Sequence, residues 1–336
     1  MSVHNVILCD FIPCDKWEFL EELEKETQQN WRILPIENNF KKKYERIFDY
    51  FVFPMKLILG RNEIGSILSW QQFFGIVFAF YSRILHLKKK NSLTIMTFIY
   101  KPKKGIIGKV YLTFIKYAIC SKYVDDIICF SSHECNFYKS IFFRKFNWAR
   151  LGVEDRAEEF EEIGKKLSDK EHYYLAVGRS NRDYDFLIKA FKKAPYKLVI
   201  ICDILKIESK GNIIIYNDVK GDAYYQMLAG CYAVIIPLKD ENVSSGQLSL
   251  IEASMMSKPI ICTRTYGIKD YLEDNKGCIP ISNTSIELRK AIKMLENPNV
   301  YRNMSHEARR AYEEYFSMKQ MADEIADILN RNYSWR

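Results

Sequence analysis

One stretch of the chain has the order of residue types that binds a phosphate group at the start of a helix. From Val243 to Leu272 the sequence reads as a loop of small residues, a helix of about two to three turns, a strand led by Pro259, and a second loop around Gly267. Unpaired backbone N–H groups and the positive end of the helix dipole converge where a loop enters a helix. The sequence therefore predicts an anion-binding site at the start of this helix.

A carboxylate further along the same helix suits a second part of the same ligand. Glu252 lies six residues after Gly246, which corresponds to about 9 Å along the helix axis. This span matches the separation of the diphosphate and the ribose of a nucleotide, so one helix can bind both groups. The binding residues expected in this segment are Ser244, Ser245, Gly246, Gln247, Leu248 and Glu252.

A second stretch places two arginines directly after a strand. The segment from Leu175 to Phe191 reads as a strand ending at Gly178, then Arg179 and Arg182, then a helix. Arginine donates hydrogen bonds from a planar fork that matches a phosphate group, and its charge persists at any working pH. Arg179 and Arg182 therefore suit the binding of a phosphate group. Two solvated arginines on a surface turn remain the alternative.

The first stretch resembles the donor-binding loop and helix of family 4-type glycosyltransferases, enzymes of the GT-B fold found in bacterial surface-polysaccharide assembly. Glu252 matches the second of the two glutamates of that family, and Ala253 and Lys258-Pro259 match the residues that follow it. Ser244 stands where the family has its first glutamate, which contacts the transferred sugar. The resemblance therefore predicts a nucleotide-sugar donor and leaves recognition of the donor sugar open.

The second stretch resembles the turn that binds the donor diphosphate in the same family. Gly178-Arg179 matches the Gly-Arg pair of the family, and Arg182 lies where a Lys is usual. The resemblance implies that Gly178 lies beside the donor phosphates and that Arg179, Arg182 and Glu252 are catalytic. Val219, in the segment Tyr216 to Val219, matches the loop whose backbone contacts the base. A leaving diphosphate gains negative charge, which fixed cations and helix N–H groups stabilise in the transition state.

The resemblance implies a retaining, metal-independent transfer without a cofactor, with UDP-sugars preferred as donors. No HExxH motif occurs in the chain, and no metal site is expected. The expected acceptor is a glycan, free or carried on a polyprenyl diphosphate, in polysaccharide biosynthesis. A non-catalytic partner subunit, favoured by Ser244, and a sugar-nucleotide epimerase remain as alternatives.

Turns in the first half of the chain are expected to face the acceptor. Phe11 follows the first strand, and Trp70 and Gln71 precede an apolar helix. Aromatic faces stack on sugar rings and amides bind hydroxyl groups, although Trp70 also fits an ordinary core position. His133 lies where the family has a Ser-x-x-Glu turn and is included as a weaker acceptor-side candidate.

Strand-like and helix-like segments alternate along the 336 residues, which favours two doubly wound parallel sheets. In the first half we expect strands at Val3 to Asp10, Tyr50 to Phe53, Thr94 to Tyr100 and Asp126 to Phe130, and helices at Trp17 to Thr27, Ser66 to Leu87 and Lys109 to Lys122. The alternation restarts at Tyr173. The expected architecture is the α/β GT-B fold, with two Rossmann-like domains facing across a cleft.

Three regions follow from this layout. Residues 1–152 are expected to form the acceptor-binding domain and residues 153–316 the donor-binding domain. Residues 317–336 are expected to form a helix that packs back on the first domain. Ser317 and Gln320 have the form of a capping box at its start.

The positive charge of the chain is concentrated in its first half. Residues 38–150 contain 20 Lys/Arg against 6 Asp/Glu, a balance of +14, whereas the whole chain carries +8. Such a surface attracts anionic phospholipid headgroups. None of the familiar RNA-binding motifs occurs, so no nucleic-acid partner is expected. The apolar segment from Phe73 to Phe80 fits either an interfacial helix or a buried one, and an ordinary solvated basic surface remains the alternative.

The cysteines indicate a reducing compartment. The nine cysteines stand singly, without a CxxC pair, and several lie on strand-like runs. The chain begins with a strand rather than a secretory leader. We therefore expect reduced thiols in a cytoplasmic protein, peripheral at the inner face of the cell membrane where it meets anionic lipid.

Overall fold

The computed structural model describes residues 3–36, 43–168, 172–192 and 194–333. The chain divides into two compact units by its internal contacts. The first comprises Met1–Ala149 and Met321–Arg336, and the second comprises Arg150–Gln320.

The first unit is a parallel sheet with connecting helices. Its strands are β1 (His4–Cys9), β2 (Trp31–Pro35), β3 (Ile64–Ser69), β4 (Ser92–Ile95), β5 (Asp126–Cys129) and β6 (Asn147–Trp148). Its helices are α1 (Glu18–Thr27), α2 (Lys43–Gly60), α3 (Gln72–Ile84), α4 (Gly105–Ile119) and α5 (Ser132–Phe142). The strand order is β2-β1-β3-β4-β5-β6, and every pairing is parallel. Parallel neighbours need crossover connections, which the intervening helices provide.

Burial on both faces explains why these strands are continuous apolar runs. Val6, Ile7, Leu8 and Cys9 of β1 are fully buried. The segment Phe73 to Phe80 lies in α3, where residues 74–79 are buried. A helix that is apolar on all sides belongs in a core. The buried alternative is therefore the one found, and this segment is not interfacial.

Some expected elements of the first half were wrong. Tyr50 to Phe53 lie within α2, where Tyr50 stacks on Phe73 at 5.2 Å between ring centroids and Phe53 meets Phe74 at 5.0 Å. A four-residue aromatic run has the composition of a strand, but the 18-residue segment around it is a helix that packs on α3. The expected helix from Ser66 likewise contains the end of strand β3.

The second unit is built in the same way. Its strands are β7 (Tyr173–Val177), β8 (Lys197–Ile201), β9 (Glu208–Lys210), β10 (Ile213–Tyr216), β11 (Ala233–Ile236), β12 (Ile260–Thr263) and β13 (Cys278–Ile281). Its helices are α6 (Ala157–Ser168), α7 (Tyr184–Phe191), α8 (Asp222–Gly230), α9 (Gln247–Met255), α10 (Lys269–Asp274), α11 (Ser285–Leu295) and α12 (Pro298–Ala311). The order is β13-β12-β11-β7-β8-β10-β9, in which the β10–β9 pairing is antiparallel.

The last helix, α13 (Met318–Tyr333), begins with a side-chain cap. The backbone N–H of Gln320 donates to Ser317 Oγ at 3.2 Å, as the capping-box pattern predicts. Further along, Asn330 Nδ2 donates to the backbone oxygen of Glu26 at 3.2 Å within the first unit. The helix thus starts in the second unit and contributes its later turns to the first.

Each sheet has a topological switch point, where successive strands along the chain are added first on one side of the starting strand and then on the other. In the second unit the first strand, β7, has β8 on one side and β11 on the other. In the first unit β1 lies between β2 and β3. The loops that follow such neighbouring strands diverge and leave a crevice at the carboxyl edge, the usual ligand position of open α/β sheets. The candidate loops of the sequence analysis follow β7 and β11, and β1 and β3.

The glycine before α9 is predicted to be indispensable for packing. Gly246 has φ +93°, and a Cβ there would lie 3.0 Å from Ile236 Cγ2 and 3.1 Å from Ile268 Cδ1. Gly246→Ala should cost about 1–2 kcal/mol for the left-handed backbone alone, with an added packing penalty. Gly211→Ala is the control, because Gly211 has φ +61° but nothing within 4 Å of its Cβ position. In thermal denaturation Gly246→Ala should lower Tm by more than Gly211→Ala, and equal losses would contradict the packing argument.

Candidate functional site

The loops after β7 and β11 are joined at the switch point of the second sheet. Arg182 and Leu238 form an isolated antiparallel bridge, and the backbone N–H of Asp183 donates to the oxygen of Pro237 at 2.8 Å. The two segments with phosphate-binding character, about 60 residues apart in sequence, are thereby in direct contact. The structure thus brings Gly178 and its arginines to the loop that leads into α9.

Asn181 stabilises the contact between the two loops by hydrogen bonds. The sequence analysis did not identify this residue. Its Nδ2 donates to Asp240 O and to Ser245 Oγ, both at 3.0 Å, and its Oδ1 accepts from the backbone N–H of Asp240 at 2.8 Å. Asn181 has φ +56°, a conformation that asparagine tolerates better than most residues. An asparagine in a turn between two arginines was the available clue.

Arg182 lies inside this junction. Its Nε donates to Val177 O and its Nη1 to Ser180 O, both at 2.9 Å, while Nη2 donates to Ser249 Oγ at 3.2 Å. Burial lowers the pKa of the Arg182 guanidinium, which stays protonated because an arginine pKa starts so high. Arg182 therefore binds the end of β7 to the first turn of α9 and carries its charge beside the helix N terminus.

Arg179 is placed differently. Its side chain is 67% exposed, and its Nη1 lies 3.1 Å from Asp203 Oδ2, whose side chain is 49% exposed. An ion pair this exposed contributes little stability and exchanges readily for another anion. The two arginines thus have separate positions, with Arg182 held by the fold and Arg179 open to solvent at the ends of β7 and β8.

The start of α9 has the features of an anion site. Gly246 is its N-cap residue and supplies no side-chain cap. Ser245 and Gln247 are buried, whereas the Leu248 side chain is half exposed. The helix therefore presents backbone N–H groups and the positive end of its dipole at the junction with Arg182.

Ser244 faces the loop around Gly267. Ser244 Oγ donates to Gly267 O at 3.2 Å, and Gln247 Nε2 donates to the same oxygen at 3.1 Å and to Ser244 Oγ. A Cβ on Gly267 would lie 2.5 Å from Val243 O, so only glycine allows the two loops to approach this closely. The position where the family resemblance expects a glutamate is thus uncharged and hydrogen-bonded to the neighbouring loop.

Glu252 lies one and a half turns into α9 with its carboxylate oriented by two tyrosines. Tyr224 Oη donates to Oε2 at 2.6 Å, and Tyr225 Oη donates to Oε1 at 3.3 Å. Burial raises the pKa of the Glu252 carboxyl, and the two tyrosine hydrogen bonds partly offset this by stabilising the charged form. Two carboxylate oxygens offer about four lone-pair positions, so acceptor positions remain for ligand hydroxyls. Both tyrosines come from α8 and were missed in the sequence analysis.

Val219 follows β10, two strands from β7 in the sheet order. It is half-buried and packs on the core of the second unit. The next residue, Lys220, pairs with Asp218 at 2.6 Å on the surface. Along this edge of the sheet, Val219, Arg179 and the start of α9 therefore follow β10, β7 and β11 respectively.

In the first unit the structure brings three of the four acceptor-side candidates together. Gln71 Nε2 donates to Asp10 Oδ2 at 2.8 Å, and the ring centroid of Trp70 lies 5.7 Å from that of Phe11. Trp70 also packs on Trp17 and Phe19, so it belongs to an aromatic cluster. His133 lies in the first turn of α5, after β5, which is two strands from β3.

Acidic groupings lie apart from these residues. Among the described residues, Glu22, Glu26 and Asp323 of the first unit are close enough to share a cation, and none of them is a candidate site residue. The chain also contains a DxD triplet, Asp183 to Asp185. Asp183 Oδ1 accepts from the backbone N–H of Phe186 at 3.1 Å and so caps α7. The triplet therefore starts a helix in this structure.

The sequence model for the family described as glycosyl transferases group 1 matches residues 155–311. This range contains both joined loops and α9. A comparison with curated proteins returned no match. No helix among the described residues is both long enough and apolar enough to cross a membrane.

Solved structures share the fold over nearly the whole chain. Sucrose-phosphate synthase from Thermosynechococcus elongatus is 13% identical with a TM-score of 0.70, covering 99% of this chain and 100% of that chain. Anabaena HepE in complex with UDP-glucose is 13% identical with a TM-score of 0.69, covering 97% and 99%. UDP-GlcNAc 2-epimerase from Methanocaldococcus jannaschii is 11% identical with a TM-score of 0.55, covering 98% and 100%.

The two mainly parallel sheets and these likenesses confirm the expected α/β fold with two Rossmann-like domains. The expected resemblance to glycosyltransferases is confirmed by the family match over the second unit. Residues 155–311 match the glycosyl transferases group 1 family, and the chain as a whole has the GT-B fold.

Proposed function

We propose that the protein transfers a sugar from a nucleotide-sugar donor, with UDP-sugars preferred, to a glycan acceptor in polysaccharide biosynthesis. The observation that carries this proposal is the junction of the loops after β7 and β11. It collects a helix N terminus, a buried arginine, an exposed arginine and an oriented carboxylate at one edge of one sheet.

The diphosphate is proposed to bind at the start of α9. Arg179 exchanges its exposed contact with Asp203 for the phosphates, and backbone N–H groups of the helix donate from the other side. Arg182 contributes charge and holds the helix in place through Ser249. These groups are fixed before the reaction, so they stabilise the charge that develops on the leaving diphosphate without reorganisation.

The ribose is proposed to bind Glu252. The carboxylate already accepts from Tyr224 and Tyr225, which leaves it held in one orientation with free lone pairs for the ribose hydroxyls. Val219 follows β10, two strands from β7 on the same sheet, and is proposed to contact the base. This order of contacts follows the order of groups in a nucleoside diphosphate.

Transfer is proposed to retain anomeric configuration and to need neither a metal ion nor a cofactor. The two arginines and the helix dipole supply positive charge at the leaving group. Ser244 and Gln247 are proposed to meet the sugar with uncharged polar groups. Retention itself rests on the family resemblance.

The acceptor is proposed to be a glycan, free or linked to polyprenyl diphosphate, and bound by the first unit. Phe11, Trp70 and Gln71 together offer an aromatic surface and an amide beside the switch point of the first sheet. The excess of positive charge in the first half supports peripheral contact with an anionic membrane surface in the cytoplasm. No nucleic-acid partner is proposed.

Two other functions have one supporting observation each. A non-catalytic partner subunit is favoured by the uncharged Ser244 at the sugar position. A sugar-nucleotide epimerase is favoured by the shared fold, although such an enzyme normally needs acid–base carboxylates and histidines. An epimerase leaves the glycosyl–phosphate bond of its product intact or hydrolyses it, and in neither case does it need a sugar acceptor. A transferase forms a glycosylated acceptor. Analysis of the products with and without acceptor therefore distinguishes the two activities.

Arg179→Ala is expected to lower donor turnover by about two to four orders of magnitude, because it removes a fixed cation from the leaving group. The donor is first chosen as the nucleotide-sugar that raises Tm most among UDP-, GDP-, CMP- and dTDP-sugars. Turnover is then measured as release of the nucleoside diphosphate. Since Arg179 is exposed, the melting temperature without ligand should stay unchanged.

Asp203→Ala is the matched control, because it breaks the same ion pair but keeps the cation. It should retain turnover. Wild-type turnover in Arg179→Ala would contradict the proposed role of Arg179, whereas an absence of turnover in the wild type itself would favour the partner-subunit alternative. Arg182→Ala is a poorer test, since it also leaves the oxygens of Val177 and Ser180 without their donor.

In Tyr224→Phe, the loss of nucleotide affinity at acidic pH is expected to begin at a higher pH than in the wild type. Glu252 binds hydroxyls as a carboxylate, so affinity should fall as pH falls through its raised pKa. Removing the Tyr224 hydrogen bond removes an interaction that lowers this pKa, which therefore rises further. The measurement is the nucleotide Kd by calorimetry across acidic pH.

Tyr196→Phe serves as the control for this change. Tyr196 also donates to a glutamate, Glu296, at 2.6 Å, but neither residue belongs to the site. In this variant, nucleotide affinity should fall over the same acidic pH range as in the wild type. If Tyr224→Phe also leaves that pH range unchanged, Glu252 does not bind the nucleotide as a carboxylate.

A further inference from the structure

A long part of the first unit contains no acidic residue. Between Glu63 and Asp125 the sequence has 10 Lys/Arg and no Asp or Glu. This range forms strands β3 and β4, helices α3 and α4, and the loops between them. Its positive charge is therefore not balanced by carboxylates on the same elements.

The exposed end of α4 is both basic and apolar. Residues 101–110, called the α4 tip, comprise an exposed lysine-rich loop and the first turns of the helix. Three aliphatic side chains of the tip are largely solvent-exposed: Ile106 by 81%, Ile107 by 74% and Val110 by 64%. Single exposed aliphatic residues are ordinary, but three on adjacent turns form a patch.

This patch is not part of the core that α4 helps to build. The opposite side of the helix packs on α3 through Phe80 and Phe114, whose ring centroids lie 4.9 Å apart. Ile115, Ala118 and Ile119 are buried on that side. The exposed aliphatic residues near the helix start therefore face away from the hydrophobic core.

The tip has a defined shape. A Cβ on Gly108 would overlap the carbonyl oxygen of Lys103, so the loop lies directly against the helix. Lys103 Nζ also lies 4.4 Å from the ring centroid of Tyr111. Lysine charges are thus held beside the aliphatic patch. The remaining exposed lysines of the tip are Lys101, Lys104 and Lys109.

We propose that the α4 tip docks on an anionic phospholipid surface. Ile106, Ile107 and Val110 enter the headgroup region, and the surrounding lysines bind lipid phosphates. Lysine is suited to this position because its aliphatic stem can lie along apolar surface while the ammonium group stays at the phosphates. The inference deepens the membrane contact of the proposed function, on which it rests, by naming the surface that makes it.

Chemical complementarity favours lipid over other occupants. Nucleic-acid surfaces stack bases on exposed aromatic rings, whereas the exposed apolar residues of the tip are aliphatic. A second copy of the chain docking through the same surface would bring its own lysines against these. An anionic bilayer offers both a negative surface and an apolar interior to the same patch.

The experiment is sedimentation of the full chain with vesicles of phosphatidylcholine alone or with about 30% phosphatidylglycerol, a composition in the range where basic clusters bind. Wild type should bind the anionic vesicles and not the neutral ones. Ile106→Ser/Ile107→Ser should lower the bound-to-free ratio at least about tenfold, through lost apolar insertion. Lys103→Glu/Lys104→Glu should abolish binding.

The matched control is Ile204→Ser/Ile207→Ser in the second unit, where the side chains are 68% and 67% exposed. It should bind vesicles like the wild type. The proposal is overturned if wild type ignores anionic vesicles, if both serine pairs lose binding equally, or if the tip variant loses oligonucleotide binding or self-association instead. The nucleotide-induced rise in Tm, measured without lipid for every variant, shows an intact fold and reports on the donor site separately.

Discussion

The guanidinium of Arg182 is the interaction on which the junction of the two loops depends. It donates to the backbone oxygen of Val177 at the end of β7, to that of Ser180 in the turn that follows, and to Ser249 Oγ of α9. A buried polar group without a partner costs about 1–3 kcal/mol, so the contacts with Val177 and Ser249 stabilise the turn and the helix together. Gly178 fits the same requirement, since a Cβ there would lie 2.8 Å from Arg182 Nη2.

Around this junction the chemistry is divided among residues of different burial. Arg182 is held in place and carries its charge beside the first turn of α9. Arg179 is exposed to solvent and forms only a surface ion pair. The Glu252 carboxylate is oriented by the hydroxyl groups of two tyrosines. Arg182 therefore maintains the geometry of the junction, whereas Arg179 is accessible to solvent. The α4 tip proposed to bind lipid lies in the first unit, whereas the residues proposed to bind the donor lie in the second.

Much of this could be predicted from the sequence because the relevant residues are local. Gly178, Arg179 and Arg182 lie within five consecutive positions, and Gly246 to Glu252 span seven, so the sequence and the family resemblance were able to single them out. Tyr224 and Tyr225 could not be found in this way. They reach Glu252 from another helix, and that contact depends on how α8 and α9 pack. The strand predicted at Tyr50 to Phe53 was wrong because the prediction used too short a segment. Four residues cannot reveal the periodicity of an 18-residue helix.

The site is assembled from contacts between residues far apart in the chain. Asn181 meets Asp240 across 59 positions, and Arg182 meets Ser249 across 67. Closing such long loops costs chain entropy, which these contacts must offset. During synthesis the arginine turn emerges long before its partners do. A growing chain therefore cannot complete this edge of the sheet until α9 has left the ribosome.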